Sequence, residues 1–278
     1  MPLHSMLRIY FYLQRVQNAT SGGNRAFVHM TTSSILREEK QVLKIEHLTK
    51  LYGSKKAVDD LSLHIKPGEI YGFIGHNGAG KTTTLKAVVG ILRFDEGEIL
   101  IDGKSVKNDP LACKKELAYI PDNPDLYDFM TGIKYLNFVA DIFGVSAAQR
   151  QERIRKYADL FELTVDLAQP IAAYSHGMKQ KLAIIAAWLH EPKLIIMDEP
   201  FVGLDPKASH LLKGMMREVC DAGGAIFFST HVLEVAEKLC DKIAIIKGGK
   251  LIRSGTMEEV RGDDSLEDVF LELEEKTC

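Results

Sequence analysis

Long apolar runs are missing from this 278-residue sequence. A helix that crosses a membrane needs about 20 consecutive apolar residues, and no stretch approaches that length. The apolar stretch from Leu7 to Leu13 is short, has Arg8 within it and Arg15 beside it, and does not fit a secretory signal peptide. We therefore expect that any role at a membrane requires a separate membrane-spanning protein.

Paired cysteines and an excess of charge of one sign are missing as well. The four cysteines are widely scattered, which argues against a disulfide framework and against a zinc site. A reducing cytoplasm is the compartment that fits this pattern. The 35 Lys and Arg residues nearly balance the 38 Asp and Glu residues, which gives a net charge of -3. Without a strong basic field, we expect no nucleic-acid partner.

The first forty residues differ from the rest of the chain. Residues 21–24 are typical of a linker, and the first convincing strand pattern begins only at Val42. We expect residues 1–40 to be an N-terminal extension that is disordered or not native. The main domain then spans residues 41–255, and residues 256–278 contain a short acidic C-terminal helix.

Strand patterns and helix patterns follow each other along the main domain. Apolar periodicity predicts strands at 42–46, 61–65, 69–74, 98–101, 117–120, 194–197, 225–228 and 243–246. Residues 122–192 have mostly helical periodicity. The later apolar strands are separated by helical stretches, which is typical of a parallel sheet covered on both faces. We therefore expect an α/β fold with a helical insert.

A glycine-rich segment lies between the strand predicted at 69–74 and a helical pattern. It consists of Gly75, His76, Asn77, Gly78, Ala79, Gly80, Lys81 and Thr82. These residues fit the phosphate-loop pattern, in which glycines let the backbone curl around a polyphosphate and a helix N-terminus supplies positive charge. We expect Lys81 to reach the β and γ phosphates and Thr82 to ligate Mg²⁺. We expect the adjacent Thr83 to belong to the same nucleotide-binding site.

Two carboxylates follow the apolar strand at 194–197. In α/β folds nucleotides bind at the carboxyl edge of the sheet, which is where Asp198 and Glu199 are expected to lie. Asp198 is predicted to hold Mg²⁺, and Glu199 is predicted to act as the general base that polarises an attacking water.

Further segments occur in a fixed order around these elements. They are Tyr52, Tyr174-Ser175-His176-Gly177-Met178-Lys179-Gln180, Gly203-Leu204-Asp205, and His231 after Ser229-Thr230. They resemble the adenine-stacking aromatic, the signature loop, the D-loop and the switch histidine of ABC-type ATPases. The resemblance covers roughly residues 42–255. It implies a RecA-like P-loop NTPase core with an antiparallel β subdomain and an α-helical subdomain inserted at about 122–192.

The resemblance also implies roles for individual residues. Tyr52 would stack on the adenine of ATP, and His231 would approach the γ phosphate, where its imidazole can report whether that phosphate is present. Ser175 and Gly177 would contact the γ phosphate of ATP held by a second subunit. The resemblance also implies that Asp205, in the D-loop, is a nucleotide-binding residue.

The sequence departs from the family pattern at two places. Tyr174, His176 and Met178 replace the first, third and fifth residues of the usual Leu-Ser-Gly-Gly-Gln signature. Pro121-Asp122 stands where the family normally places a glutamine, and Asp122 is a further candidate Mg²⁺ ligand because its carboxylate supplies oxygen donors. Both departures resemble the bacterial exporters of peptides and antibiotics.

The function implied by the resemblance is that of an ATP-hydrolysing subunit of an ABC transporter. Two such subunits, either two copies of this chain or this chain paired with another ATPase subunit, would close on ATP. They would drive export through a separately encoded membrane permease. The subunit would then lie at the cytoplasmic face of the membrane.

Two alternatives belong to other classes. Soluble ABC ATPases of DNA repair carry long coiled-coil insertions, and those of translation usually carry two cassettes in one chain. Neither feature is visible in the sequence. A small GTPase or kinase is the second alternative, but guanine recognition would need an Asn-Lys-x-Asp segment, which is absent.

Overall fold

The computed structural model describes residues 41–275. The extension expected at residues 1–40 lies outside the described residues. The strands are β1 (Leu43–Tyr52), β2 (Lys55–Ile65), β3 (Ile70–Ile74), β4 (Glu96–Ile101), β5 (Lys104–Ser105), β6 (Leu117–Ile120), β7 (Leu194–Asp198), β8 (Ala225–Thr230), β9 (Lys242–Lys247) and β10 (Lys250–Thr256). The α-helices are α1 (Lys81–Val88), α2 (Pro110–Glu116), α3 (Gly132–Ile142), α4 (Ala147–Leu160), α5 (His176–Trp188), α6 (Pro206–Asp221), α7 (Leu233–Leu239), α8 (Met257–Arg261) and α9 (Leu266–Glu275).

The strands form two sheets. The smaller sheet has the order β2-β1-β4-β5, and its pairs are antiparallel. The larger sheet has the order β10-β9-β3-β8-β7-β6, and its pairs are parallel except for the β9–β10 hairpin. The predicted parallel α/β core is confirmed, and the antiparallel β subdomain implied by the resemblance is present.

The centre of the larger sheet carries the core of the fold. Every residue of β3, β7 and β8 is buried, as expected for strands covered on both faces. In the register of these strands, Ile74 pairs with Thr230 and Asp198 pairs with Ser229. The carboxyl ends of the three strands therefore meet at one edge, which brings the segments that follow them together.

The helices between β6 and β7 begin at residues that cap them. The hydroxyl of Thr131 accepts a hydrogen bond from the backbone of Lys134 at the start of α3, and Ser175 accepts one from Met178 at the start of α5. Such caps satisfy backbone donors that have no partner within the helix. In the part of the chain that the structure describes, no helix is long and apolar enough to span a membrane.

Two short helices close the described chain. The β9–β10 hairpin turns at Gly248 and Gly249, both with positive φ. A capping box between Thr256 and Glu259 starts α8. Gly262, with φ of 62°, follows its end, and α9 begins at Leu266.

Candidate functional site

The glycine-rich loop runs from the end of β3 to the start of α1 and approaches other backbone segments closely. Gly80 has φ of 111°, and a Cβ at this position would lie 2.5 Å from the carbonyl oxygen of Ala57. A Cβ at Gly75 would likewise lie 2.5 Å from the carbonyl oxygen of Ile246. Both positions require glycine, because a side chain would push β2 or β9 away from the loop.

Lys81 is the charged residue at the end of this loop, where α1 begins. It is 5% exposed, and its ammonium donates to the carbonyl oxygens of Gly75 and His76, the latter at 3.4 Å. Burial lowers the pKa of Lys81, while the nearby carboxylates of Glu199 and Asp198 act in the opposite direction. The Lys81 Nζ lies 3.6 Å from Glu199 Oε1. The ammonium thus points into the concave side of the loop, where a phosphate can bind.

Thr82 and Asp198 form a set of oxygen ligands next to Lys81. The Thr82 hydroxyl donates to Asp198 Oδ2 at 2.6 Å, and the Ser229 hydroxyl donates to Asp198 Oδ1. Asp198 is 1% exposed. Hydroxyl and carboxylate oxygens suit Mg²⁺, which is commonly held by one or two such ligands together with substrate phosphates. Residues 41–275 contain no cluster of three or more His, Cys, Asp or Glu side chains that could hold a metal by themselves.

Glu199 is held in an unusual backbone conformation beside this pair. Its φ is 48°, and its amide donates to both the carbonyl and the hydroxyl oxygen of Ser229, each at 3.2 Å. Non-glycine residues with positive φ persist where the surroundings fix them, and they concentrate at functional sites. The side chain reaches His231, whose Nδ1 lies 2.9 Å from Glu199 Oε1. Lys81, Glu199 and His231 therefore form a continuous chain of contacts.

A cleft of about 440 Å³ is lined by Lys81, Thr82, Asp198 and Glu199 among others, and its volume suits a small ligand such as a nucleotide. Tyr52 stands at the cleft with half of its surface exposed, and Asp122 lines the same cleft as Asp198. The lining residues are Tyr52, Lys55, Lys56, Ala57, His76, Asn77, Gly78, Gly80, Lys81, Thr82, Thr83, Asp122, Asp198, Glu199, Gly248 and Gly249. The remaining loop residues, Gly75 and Ala79, do not line the cleft, but their backbone atoms form hydrogen bonds that hold the loop and Lys81 in place.

Besides Gly75 and Ala79, four predicted site residues lie outside this lining. One is His231, which contacts the lining residue Glu199, and the others are the group of Ser175, Gly177 and Asp205. Ser175 caps α5 and is exposed. A Cβ on Gly177 would lie 2.7 Å from the carbonyl oxygen of Gly203, which packs the start of α5 against the loop that precedes α6. Asp205 caps α6 through Ala208 at 2.8 Å. The three residues thus share a second region of the same chain.

Comparison with known proteins decides the family. The protein-family model described as ABC transporter matches residues 58–202. The ABC-type transporter ATP-binding protein EcsA of Bacillus subtilis is 36% identical over 237 residues, covering 84% of this chain and 96% of EcsA. The chain belongs to the ABC transporter family. As an ABC transporter ATP-binding protein, it binds and hydrolyses ATP, so the implied ATPase activity is confirmed.

Two further comparisons agree with this assignment. A solved structure of the ATP-binding subunit of an ABC transporter is 36% identical, with a TM-score of 0.81, and the match covers 84% of this chain and 99% of that one. The Nod factor export ATP-binding protein I of Cupriavidus metallidurans is 33% identical, over 79% of this chain and 72% of that protein. These similarities favour a transporter subunit over an ABC ATPase of DNA repair or translation.

Sequence reasoning missed several residues of the ABC ATPase site. Ser229 holds both Asp198 and the backbone of Glu199, but a serine inside an apolar strand carries no signal until the strand register is known. Gly249 donates its amide to the carbonyl of Ala79 at 2.9 Å. The position of Gly249 against the phosphate loop follows only from the sheet order.

Proposed function

We propose that this ABC transporter ATP-binding protein dimerises on ATP and that the dimer drives export through separate membrane subunits. One observation carries the dimer. The cleft contains the phosphate loop, Asp198 and Glu199, whereas Ser175, Gly177 and Asp205 lie outside the cleft of their own chain. A second subunit facing the first would bring these three residues to the ATP held by the first subunit, so each site would be shared.

Within each cleft, the residues of one chain bind and orient ATP. Tyr52 would stack on the adenine, a contact worth about 1 to 3 kcal/mol in base recognition. The loop amides and Lys81 would hold the phosphates. Thr82, Asp198 and Asp122 would hold Mg²⁺, which when bound neutralises charge on the β and γ phosphates.

Hydrolysis needs a base next to the γ phosphate, and the proximity of Glu199 to Lys81 supports this role for Glu199. Its carboxylate would accept a proton from the attacking water, while the Lys81 Nζ, 3.6 Å from Glu199 Oε1, would hold the carboxylate in position. His231 would sense the γ phosphate from the other side of Glu199, since its Nδ1 already contacts the same oxygen. These roles rest on contacts within one chain.

The membrane permease would contact residues 125–144. Three aromatic side chains of this segment are exposed, and the ring centroid of Tyr127 lies 5.8 Å from that of Phe129 and 5.7 Å from that of Phe138. Exposed apolar clusters of this kind mark protein interfaces. Through this contact the subunit would lie at the cytoplasmic face of the membrane.

Export is supported by two observations. One relative is named as a Nod factor export ATP-binding protein, and the signature loop of the present chain has the form that resembles exporters of peptides and antibiotics. The separation of the two subunits after hydrolysis would pass movement to the permease through the helices between β6 and β7.

The test of this function is the variant Glu199→Gln. We expect it to bind ATP with nearly unchanged affinity but to lose hydrolysis by about 100-fold or more, because the amide can orient a water but cannot accept its proton. Calorimetry measures the binding and phosphate release measures the turnover.

Two control variants complete this experiment. Glu152→Gln, at an exposed glutamate of α4, should hydrolyse ATP normally. Lys81→Ala should instead weaken ATP binding itself, since it removes the charge held against the phosphates. Turnover of Glu199→Gln near the rate of the unmodified chain would remove Glu199 from the role of base.

A further inference from the structure

The last helix of the described chain, α9, touches the phosphate loop through a pair of aromatic rings. The ring centroid of Phe270 lies 4.9 Å from that of His76, with an angle of 63° between the ring planes. This edge-to-face arrangement is the favoured geometry for such rings. Phe270 is 7% exposed, and His76 is the second residue of the loop and lines the ATP cleft.

The helix that carries Phe270 is itself fixed to the domain. Leu266 and Val269 are buried in the same core cluster as Ala236 of α7. Ser265 accepts a hydrogen bond from the amide of Asp268 at 3.1 Å, which caps the first turn of α9. Because α9 is anchored through these residues, Phe270 offers the loop a rigid surface.

The ring of His76 is connected to the phosphate-binding groups through the backbone of the same residue. The carbonyl oxygen of His76 accepts a hydrogen bond from the amide of Ala79 at 3.1 Å and lies 3.4 Å from the Lys81 Nζ. A contact that holds the His76 ring therefore restrains the residue whose carbonyl shapes the loop and contacts the ammonium.

We propose that Phe270 is a positioning residue for ATP binding, which acts by holding His76 and so keeps the phosphate loop in its binding shape. The inference rests on the proposed role of Lys81 and the loop in phosphate contact. It gives the acidic C-terminal helix a part in the ATPase cycle, because any ligand or partner that moved α9 would change the affinity for ATP.

The experiment measures ATP affinity by calorimetry in the Glu199→Gln background, where hydrolysis does not interfere. Phe270→Leu removes the ring but keeps the apolar contact, and we expect it to raise the dissociation constant about three- to tenfold. Phe270→Tyr keeps the ring and should restore affinity. Leu271→Ala, at a 54% exposed position of the same helix, should bind ATP normally. In the hydrolysing chain, Phe270→Leu should raise KM more than it lowers kcat.

A double-mutant cycle distinguishes positioning from a general loss of structure. In a His76→Ala chain, adding Phe270→Leu should produce no further loss of ATP affinity, since the ring it acts through is gone. An equal loss in the presence and absence of His76, or unchanged affinity in Phe270→Leu, would overturn the proposal. Thermal unfolding checks each variant, and Phe270→Met carries the same prediction if Phe270→Leu does not fold. Lys81→Ala tests the phosphate-binding role of the loop separately from the positioning role of Phe270. If Lys81→Ala binds ATP normally, the proposed role of the loop is wrong, whatever the effect of the Phe270 variants.

Discussion

The buried ammonium of Lys81 shows how single residues shape the site. A charge removed from water is costly unless it is paired and hydrogen-bonded. The carbonyls of Gly75 and His76 and the carboxylate of Glu199 provide those partners, and Glu199 in turn contacts His231. The positively charged group that is to meet phosphate is thus held in place by the residue proposed as the base.

Asp122 is the residue at which the chain departs from the glutamine usual in its family, and its role can be tested by metal dependence. If its carboxylate helps to hold Mg²⁺, Asp122→Ala should raise the Mg²⁺ concentration for half-maximal ATPase activity about three- to tenfold. Asp122→Asn keeps one oxygen donor, so the Mg²⁺ concentration it needs should lie between those of the unmodified chain and Asp122→Ala. Steady-state hydrolysis at fixed ATP and varied Mg²⁺ measures this effect.

The matched control is Asp221→Ala, which removes the same charge from the exposed end of α6 and should leave the Mg²⁺ dependence unchanged. If Asp122→Ala and Asp221→Ala need the same Mg²⁺ concentration, Asp122 is an ordinary loop residue that happens to line the cleft.

At the scale of elements, the signature segment is joined to the start of α3. The Tyr174 hydroxyl donates to the carbonyl of Asp166 at 2.7 Å, and a Cβ on Gly132 would overlap that hydroxyl. The amide of Ile171 also donates to the carbonyl of Met130 at 2.8 Å. Tyr174, which replaces the usual leucine of the signature, therefore packs against Gly132, where only a residue without a side chain leaves room for the hydroxyl. Gly132 lies on the helix of the proposed permease-contacting surface.

This fit predicts a pairwise effect on stability. Gly132→Ala should lower the free energy of unfolding by about 1 to 3 kcal/mol, because the new methyl group meets the hydroxyl of Tyr174. Tyr174→Phe removes that hydroxyl, so the double variant should be less destabilised than the sum of the two single changes. Urea unfolding of the four chains measures the coupling.

Gly214→Ala supplies the control for the helix preference of alanine. Gly214 is an exposed residue within α6 and a Cβ there would contact nothing within 4 Å, so the change should stabilise the chain by up to about 1 kcal/mol. Additive effects of Gly132→Ala and Tyr174→Phe would contradict the proposed contact.

Sequence periodicity predicted the long buried elements and failed at irregular ones. Strands such as β7 and β8 are continuous apolar runs, so their position was readable. The strand predicted at 42–46 instead extends to Tyr52, because register shifts and a positive φ at His47 interrupt the alternation along β1. Helix α2 was not predicted, since its seven residues are too few for a clear helical period.

The candidate site was readable to the extent that its residues form short, continuous motifs. The loop around Lys81 and the pair Asp198–Glu199 are such motifs, and the structure brings them to one sheet edge. Contacts between distant segments, such as those of Ser229 and Phe270, depend on strand order and helix docking. No local pattern encodes them.

At the scale of the whole molecule, His190 links stability to pH. Its ring stacks on Phe143 at 3.7 Å, its Nε2 lies 3.1 Å from the carbonyl oxygen of Leu117, and burial lowers its pKa. The folded state therefore favours the neutral ring, whereas the unfolded chain takes up a proton near pH 6.5, about the ordinary value. The stabilising contribution of His190 is complete above that pH and is lost as the pH falls through the lower folded pKa.

We accordingly expect the free energy of unfolding to decrease on acidification below about pH 6.5. In the His190→Gln variant this decrease with falling pH should be less steep. Chemical unfolding at a series of pH values measures the slope. His64 has a pKa lowered by burial as well, so part of the slope should remain in the variant. Identical slopes in the two chains would show that His190 titrates alike in the folded and unfolded states.

In the assembled molecule, each ATP site is proposed to be shared between two subunits, and mixing two inactive variants tests this sharing. Lys81→Ala disables the phosphate loop, and Ser175→Arg disables the signature loop, so each chain alone should form only defective sites. A mixed dimer contains one site built from the intact Ser175 of the first chain and the intact Lys81 of the second. We expect partial recovery of ATP hydrolysis on mixing, rising with protein concentration, and ATP-dependent dimers of Glu199→Gln by light scattering. Hydrolysis independent of protein concentration, without recovery on mixing and without such dimers, would contradict it.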